Sequence, residues 1–213
     1  MYWWILASWF ALGLNCVLLV FLGCSLPRGV KSRVRSDLEF AHSIHGIDAT
    51  PLHRGIFGDG PLNGDRYVSF FEKRVTRIEG EGILFASCKG ALACHAGGTE
   101  IRLSKNYARL GLPQVVRLSY LLHEARHSEG WPHVKCPPGV HAPFTGVSLE
   151  GKKACDSSSL GAYGIQIVML RNIEKFCGSC EKSVRQESGR FADALMDLIV
   201  SQSARHALVE DSR

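Results

Sequence analysis

Charge is absent from residues 1–27: no charged side chain of either sign precedes Arg28. Residues 2–23 are almost wholly apolar, with Ser8, Asn15 and Cys16 the polar or weakly polar exceptions. As a helix rising about 1.5 Å per residue, that run is about 33 Å long, enough to span a bilayer core. It is therefore excluded from the folded domain and reads as a targeting signal or a membrane anchor over 1–23. The chain also lacks internal repeats, which argues against a solenoid or propeller. It carries a net charge of +5 but no helical stripe of basic residues interleaved with aromatics, and so no sign of nucleic-acid binding. The basic residues that do cluster, Arg28, Lys31, Arg33 and Arg35, follow the apolar run directly. There they can lie against anionic lipid headgroups, although the positive-inside tendency would favour a cytoplasmic face.

What the chain does contain is the segment His123-Glu124-Ala125-Arg126-His127-Ser128-Glu129-Gly130-Trp131-Pro132-His133. Residues four apart lie on one face of a helix, so His123 and His127 can aim at one ion. Glu124, beside the first ligand, can reach a water there without occupying the metal. Gly130 can adopt positive φ and turn the chain. Pro132 biases Trp131 toward an extended conformation, and His133 can then return as a third ligand. Three protein ligands leave a fourth position open, the catalytic arrangement of zinc. A shuffled chain of this composition would contain H-E-x-x-H roughly 2 times in 100, and the whole pattern about 1 time in 10,000, so chance explains it poorly. Pro113 suits a first helical turn, and Val115, Leu118, Leu122 and Ala125 recur at buried-stripe spacing into the motif. Asp156, Glu174 and His141 could each supply the third ligand instead of His133.

The eleven-residue pattern resembles the signature of the metzincin zinc metallopeptidases. The resemblance implies one catalytic Zn2+ held by His123, His127 and His133. It also implies Glu124 as general base in the hydrolysis of a peptide or protein substrate. The family places a Met-containing turn beneath its metal. Met169 and Met196 are the downstream methionines here, and Met169 falls inside an expected helix. Tyr163 is either an oxyanion partner or a core aromatic. A non-catalytic, disulfide-stabilised lipoprotein that binds zinc is the alternative function.

The end of the apolar run, Phe21-Leu22-Gly23-Cys24, resembles the lipobox of bacterial lipoproteins. That resemblance implies cleavage before Cys24, lipid on its sulfur, and a protein held at the cell envelope facing the periplasm or exterior. Membrane attachment then runs through the lipid or the N-terminal apolar segment. Six further cysteines follow: Cys88, Cys94, Cys136, Cys155, Cys177 and Cys180. An even set in an exported chain suggests three disulfides. Six cysteines allow 15 pairings, of which sequential pairing (88 with 94, 136 with 155, 177 with 180) is simplest. Cys177-Gly178-Ser179-Cys180 also fits a redox pair or, with Cys136 and Cys155, a four-cysteine zinc site.

Residues 24–60, rich in Gly, Pro, Arg and Asp, read as a tether and irregular segment, with His42, His45 and His53 as solvated linker residues. Residues 61–213 read as the zincin-like catalytic domain. Within it the periodicity predicts a helix over 64–78, strands over 82–87 and 99–104 with a loop over 88–98 between them, the metal helix, a Pro/Gly-rich loop over 135–155, and helices over 160–176 and 183–208. His95, in the first of those loops, reads as incidental. The class is α+β, zincin-like, helix-rich with a small sheet beside the metal-binding helix.

Overall fold

The computed structural model describes residues 28–80, 92–104, 106–109, 111–143 and 145–213. The apolar run 2–23, Cys24, the strand expected over 82–87 and Cys88 lie outside the described residues. Among the described residues no helix is long and apolar enough to cross a membrane.

The segment expected to be irregular over 24–60 is helical in two stretches. Helix α1 (Arg28–His42) buries Val30, Val34, Asp37 and Ala41, which recur every three or four residues. Its dense charge hides that stripe in the sequence. Helix α2 (Pro51–Phe57) starts at a capped end: the Thr50 hydroxyl accepts the His53 backbone N–H, and Pro51 occupies the first position. His53 is not a solvated linker residue. It is fully buried, hydrogen-bonded through Nε2 to the Tyr67 hydroxyl at 2.8 Å, and burial pushes its pKa down to about 4. His42 and His45 are exposed, as expected.

Helix α3 (Gly64–Glu72) is shorter than the predicted 64–78. The stripe of Val68, Phe71, Val75 and Ile78 is buried throughout, but Ile78 belongs to strand β1 (Arg77–Gly80). The β-branched residues Val75, Thr76 and Ile78 favour an extended chain. Strand β2 (Ala93–Gly97) replaces the second half of the loop expected over 88–98, and β3 (Glu100–Leu103) lies within the predicted 99–104. In this sheet β3 is central, parallel to β1 (Ile78 opposite Ile101) and antiparallel to β2 (His95 opposite Ile101). The short segment Ala93–Gly97 has little strand propensity of its own; pairing with β3 makes it a strand.

After the single turn α4 (Asn106–Arg109), helix α5 (Gln114–His127) carries the first half of the motif through the core. Arg117 ties it to α1: Nε and one terminal nitrogen donate to the two Asp37 carboxylate oxygens at 2.8 and 2.5 Å. The Tyr107 hydroxyl adds a third hydrogen bond to Asp37 at 2.8 Å. Beyond α5, β4 (Val134–Lys135) pairs antiparallel with β5 (Lys153–Cys155) at the base of the Pro/Gly-rich loop. Helix α6 (Ala162–Phe176) packs on α5 and on α7 (Lys182–Met196). The single helix predicted over 183–208 breaks after Met196 and resumes as α8 (Gln202–Asp211). The break arises because the connector pairs elsewhere: the Asp156 N–H donates to the Leu198 carbonyl and the Val200 N–H to the Asp156 carbonyl, each at 2.8 Å. Ser201 then caps α8, its hydroxyl accepting the Ala204 N–H. The described chain is thus a helix-rich α+β fold with two small sheets, and β2 lies at a sheet edge against α5.

Candidate metal centre

His123 and His127 lie one turn apart near the C-terminal end of α5, on the face turned toward β4 and α6. Gly130 has a φ of +81°, the conformation in which a Cβ is penalised, and the chain reverses there. The turn is braced on its outer side. Arg126 donates to the Leu160 carbonyl at 2.8 Å and to the Glu129 carboxylate, and its guanidinium covers the Trp131 ring at 4.6 Å. Arg74 holds the other Glu129 oxygen at 2.7 Å. His133 then arrives just ahead of β4.

The three imidazoles converge. Each pair of Nε2 atoms, His123–His127, His123–His133 and His127–His133, is 3.2 Å apart. Every Nδ1 faces an acceptor: Gln166 Oε1 for His123 at 2.8 Å, the Trp131 carbonyl for His127 at 2.6 Å, and Asp156 Oδ1 for His133 at 2.7 Å. The orientation of Gln166 is itself set, because its Nε2 donates to Ser119 Oγ at 2.9 Å while that hydroxyl donates to the Val116 carbonyl. With those acceptors behind the rings, the neutral tautomer protonated on Nδ1 turns each Nε2 lone pair toward the centre of the cluster. That arrangement is repulsive without a cation. A tetrahedral zinc with Zn–N bonds of about 2.05 Å would space its nitrogens about 3.3 Å apart. The residues present fit such an ion, and this cluster of three histidines can hold a metal.

Electrostatics agrees with ligation. Burial, reinforced by the neighbouring imidazoles, holds His123 well below the usual histidine range. Burial, with help from His133, pushes His127 down to about 4. Both rings are thus neutral near neutral pH, the form a metal requires. Glu124 is 4% exposed, and burial pushes its carboxyl up to about 8 although the His95 backbone N–H donates to it.

Three residues acquire places that their spacing did not announce. The His95 ring stays outside the cluster, 6.1 Å from the His127 centroid, but through β2 its main chain meets Glu124. Asp156 is not one of the converging groups; it stands behind them as the partner of His133. Tyr163 lies at the cluster, stacked on His133 at 4.9 Å and edge-on to His123 at 4.5 Å. Burial keeps its phenol protonated. Glu174 and His141 stand apart from the cluster: Glu174 pairs with Arg171, and the exposed His141 faces the Gly139 carbonyl. Met169 is fully buried within α6 and forms no turn, and Met196 ends α7.

Cys136 is bonded to Cys155 and Cys177 to Cys180, which leaves no four-cysteine zinc site from these residues. Cys94 is also disulfide-bonded. Cys177 ends α6 and Cys180 stands just before the Glu181 N-cap of α7, so the bonded C-x-x-C pair closes the turn between these two helices. Its loop grips the chain before α2, with the Gly178 and Ser179 N–H groups donating to the His45 carbonyl. No protein-family model, curated protein sequence or solved structure matches the chain.

Proposed function

We propose that the protein is a zinc-dependent peptidase, and that the observation carrying this reading is the convergence of three imidazole Nε2 atoms, two of them from a helix that also carries a buried glutamate. A zinc ion held there would polarise the scissile carbonyl, lower the pKa of a water and favour the carboxylate form of Glu124. Glu124 takes the proton of the attacking water and delivers it to the leaving amine. The His95 N–H holds the Glu124 side chain in place for both transfers. Tyr163, protonated and packed on two of the imidazoles, offers a hydrogen to the developing oxyanion.

The metzincin-like motif supports the same reaction. Attachment to a membrane at the cell envelope, through Cys24 or the apolar segment, belongs to the same proposal. The oxidised cysteine pairs favour an exported domain. Glu124→Gln tests the chemistry: it should keep stoichiometric zinc while lowering peptide hydrolysis at least about 100-fold. Unchanged peptidase activity in that variant would sink the proposal, and a purified protein without zinc would favour a non-catalytic lipoprotein.

A further inference from the structure

We infer that Asp156 is a positioning residue whose single carboxylate sets two of the three histidine ligands; this rests on reading the cluster as a metal site. Asp156 is 3% exposed, and its main chain is fixed on both sides by Leu198 and Val200. Oδ1 accepts the His133 Nδ1–H at 2.7 Å, which points Nε2 of the third ligand at the centre of the cluster. Oδ2 accepts the Tyr163 backbone N–H at 2.6 Å. Helix α6 has Gly161 at its N-cap and no side-chain cap of its own, so Asp156 caps it from outside. The fit is close, since a Cβ on Gly161 would lie 2.5 Å from Oδ2.

The second ligand follows from that cap. The first turns of α6 carry Tyr163, which packs on His133 and His123, and Gln166, which orients His123. A shift of the α6 N-terminus would move Gln166 away from His123 Nδ1. The two halves of the carboxylate thus act on His133 directly and on His123 through the helix.

The chemistry demands a carboxylate here. Two donors, an imidazole N–H and a backbone N–H, converge on one side chain, and both need an acceptor oxygen. An amide has one oxygen and one NH2 group. Whichever way an asparagine turned, its NH2 would face a donor. Either His133 would move its proton to Nε2, aiming N–H at the cluster, or α6 would lose its cap.

The test uses the full chain, wild type and Asp156→Asn, with zinc affinity measured by competition with a chromophoric chelator and imidazole tautomers read from 15N spectra of the metal-free protein. We expect Asp156→Asn to bind zinc 10- to 100-fold more weakly, on the order seen for losses of such partners, with altered tautomer signals at His133 or His123. Wild-type His133 should carry its proton on Nδ1, a result that needs no variant to fold. An Nε2-protonated His133 in the wild type overturns the inference. So does an Asp156→Asn protein that is less stable but keeps its zinc affinity and both tautomers, since that is a structural role alone. Wild-type protein that binds no zinc while His133 holds its Nδ1 proton supports the orienting role and overturns the metal reading instead.

Discussion

The two halves of the histidine cluster are built differently. His123 and His127 sit on one helix, where 3.6-residue periodicity places them side by side and the surrounding core holds the helix. His133 sits beyond the helix, on a reversed segment directly after the Trp131-Pro132 step, and is retained by its connections. These are the Arg126 and Glu129 brace, the pairing of β4 with β5, the Cys136–Cys155 bond and the Asp156 carboxylate. The first half depends on local geometry plus burial, and the second on long-range ties that converge on a short loop. Perturbations should therefore separate them: damage to α5 lowers global stability, and damage to the ties lowers metal affinity.

The largest effect is expected on the helix side. Arg117→Ala leaves the buried Asp37 without its charge partner, and losing one member of such a pair costs about 3–5 kcal/mol. Denaturant titration should show that loss, with zinc affinity of the still-folded protein near wild type. A comparable loss of zinc affinity would mean that the ligand end of α5 is not held independently of the Asp37 tie.

The double variant Cys136→Ser with Cys155→Ser probes the loop side. Closing a loop of this sequence separation, 19, is worth roughly 3 kcal/mol on the chain-entropy model. Because the bond joins the strand after His133 to the strand before Asp156, zinc affinity should fall together with stability. If affinity holds, Asp156 alone secures the third ligand. The smallest effect belongs to Gly130→Ala. A Cβ at φ +81° costs roughly 1–2 kcal/mol, although no atom lies within 4 Å to obstruct it. The penalty should appear mainly in zinc affinity, since relaxing that turn displaces His133 rather than the helix.

The candidate site was legible where its geometry is local. The spacing of His123, Glu124 and His127 follows from helix period, and the turn at Gly130 from the conformational freedom of one residue. The helix over Gln114–His127 was visible from its apolar stripe, and so was Ala162–Phe176. The failures share a cause. The stripe on Arg28–His42 is obscured by the basic residues interleaved with it, although Val30 and Val34 are buried. Strand Ala93–Gly97 exists because β3 pairs with it, and the break between α7 and α8 because Asp156 pairs with the connector. The main chain of His95 and the side chain of Gln166 carry no signal, and Asp156 reads only as a possible ligand, since their partners lie between 23 and 43 residues away.

By itself the sequence determined which atoms are available for metal chemistry, because residue type sets donor atoms and a four-residue spacing sets a helical face. It also determined the uncharged apolar run over 2–23 and the even set of cysteines after Cys24, as matters of composition and order. Tertiary structure alone decided that His133, and neither Asp156 nor Glu174 nor His141, completes the cluster. It decided too that each Nδ1 faces an acceptor. Those outcomes depend on which acceptor stands behind each ring, and an acceptor from another element reaches its histidine only when the packed chain delivers it.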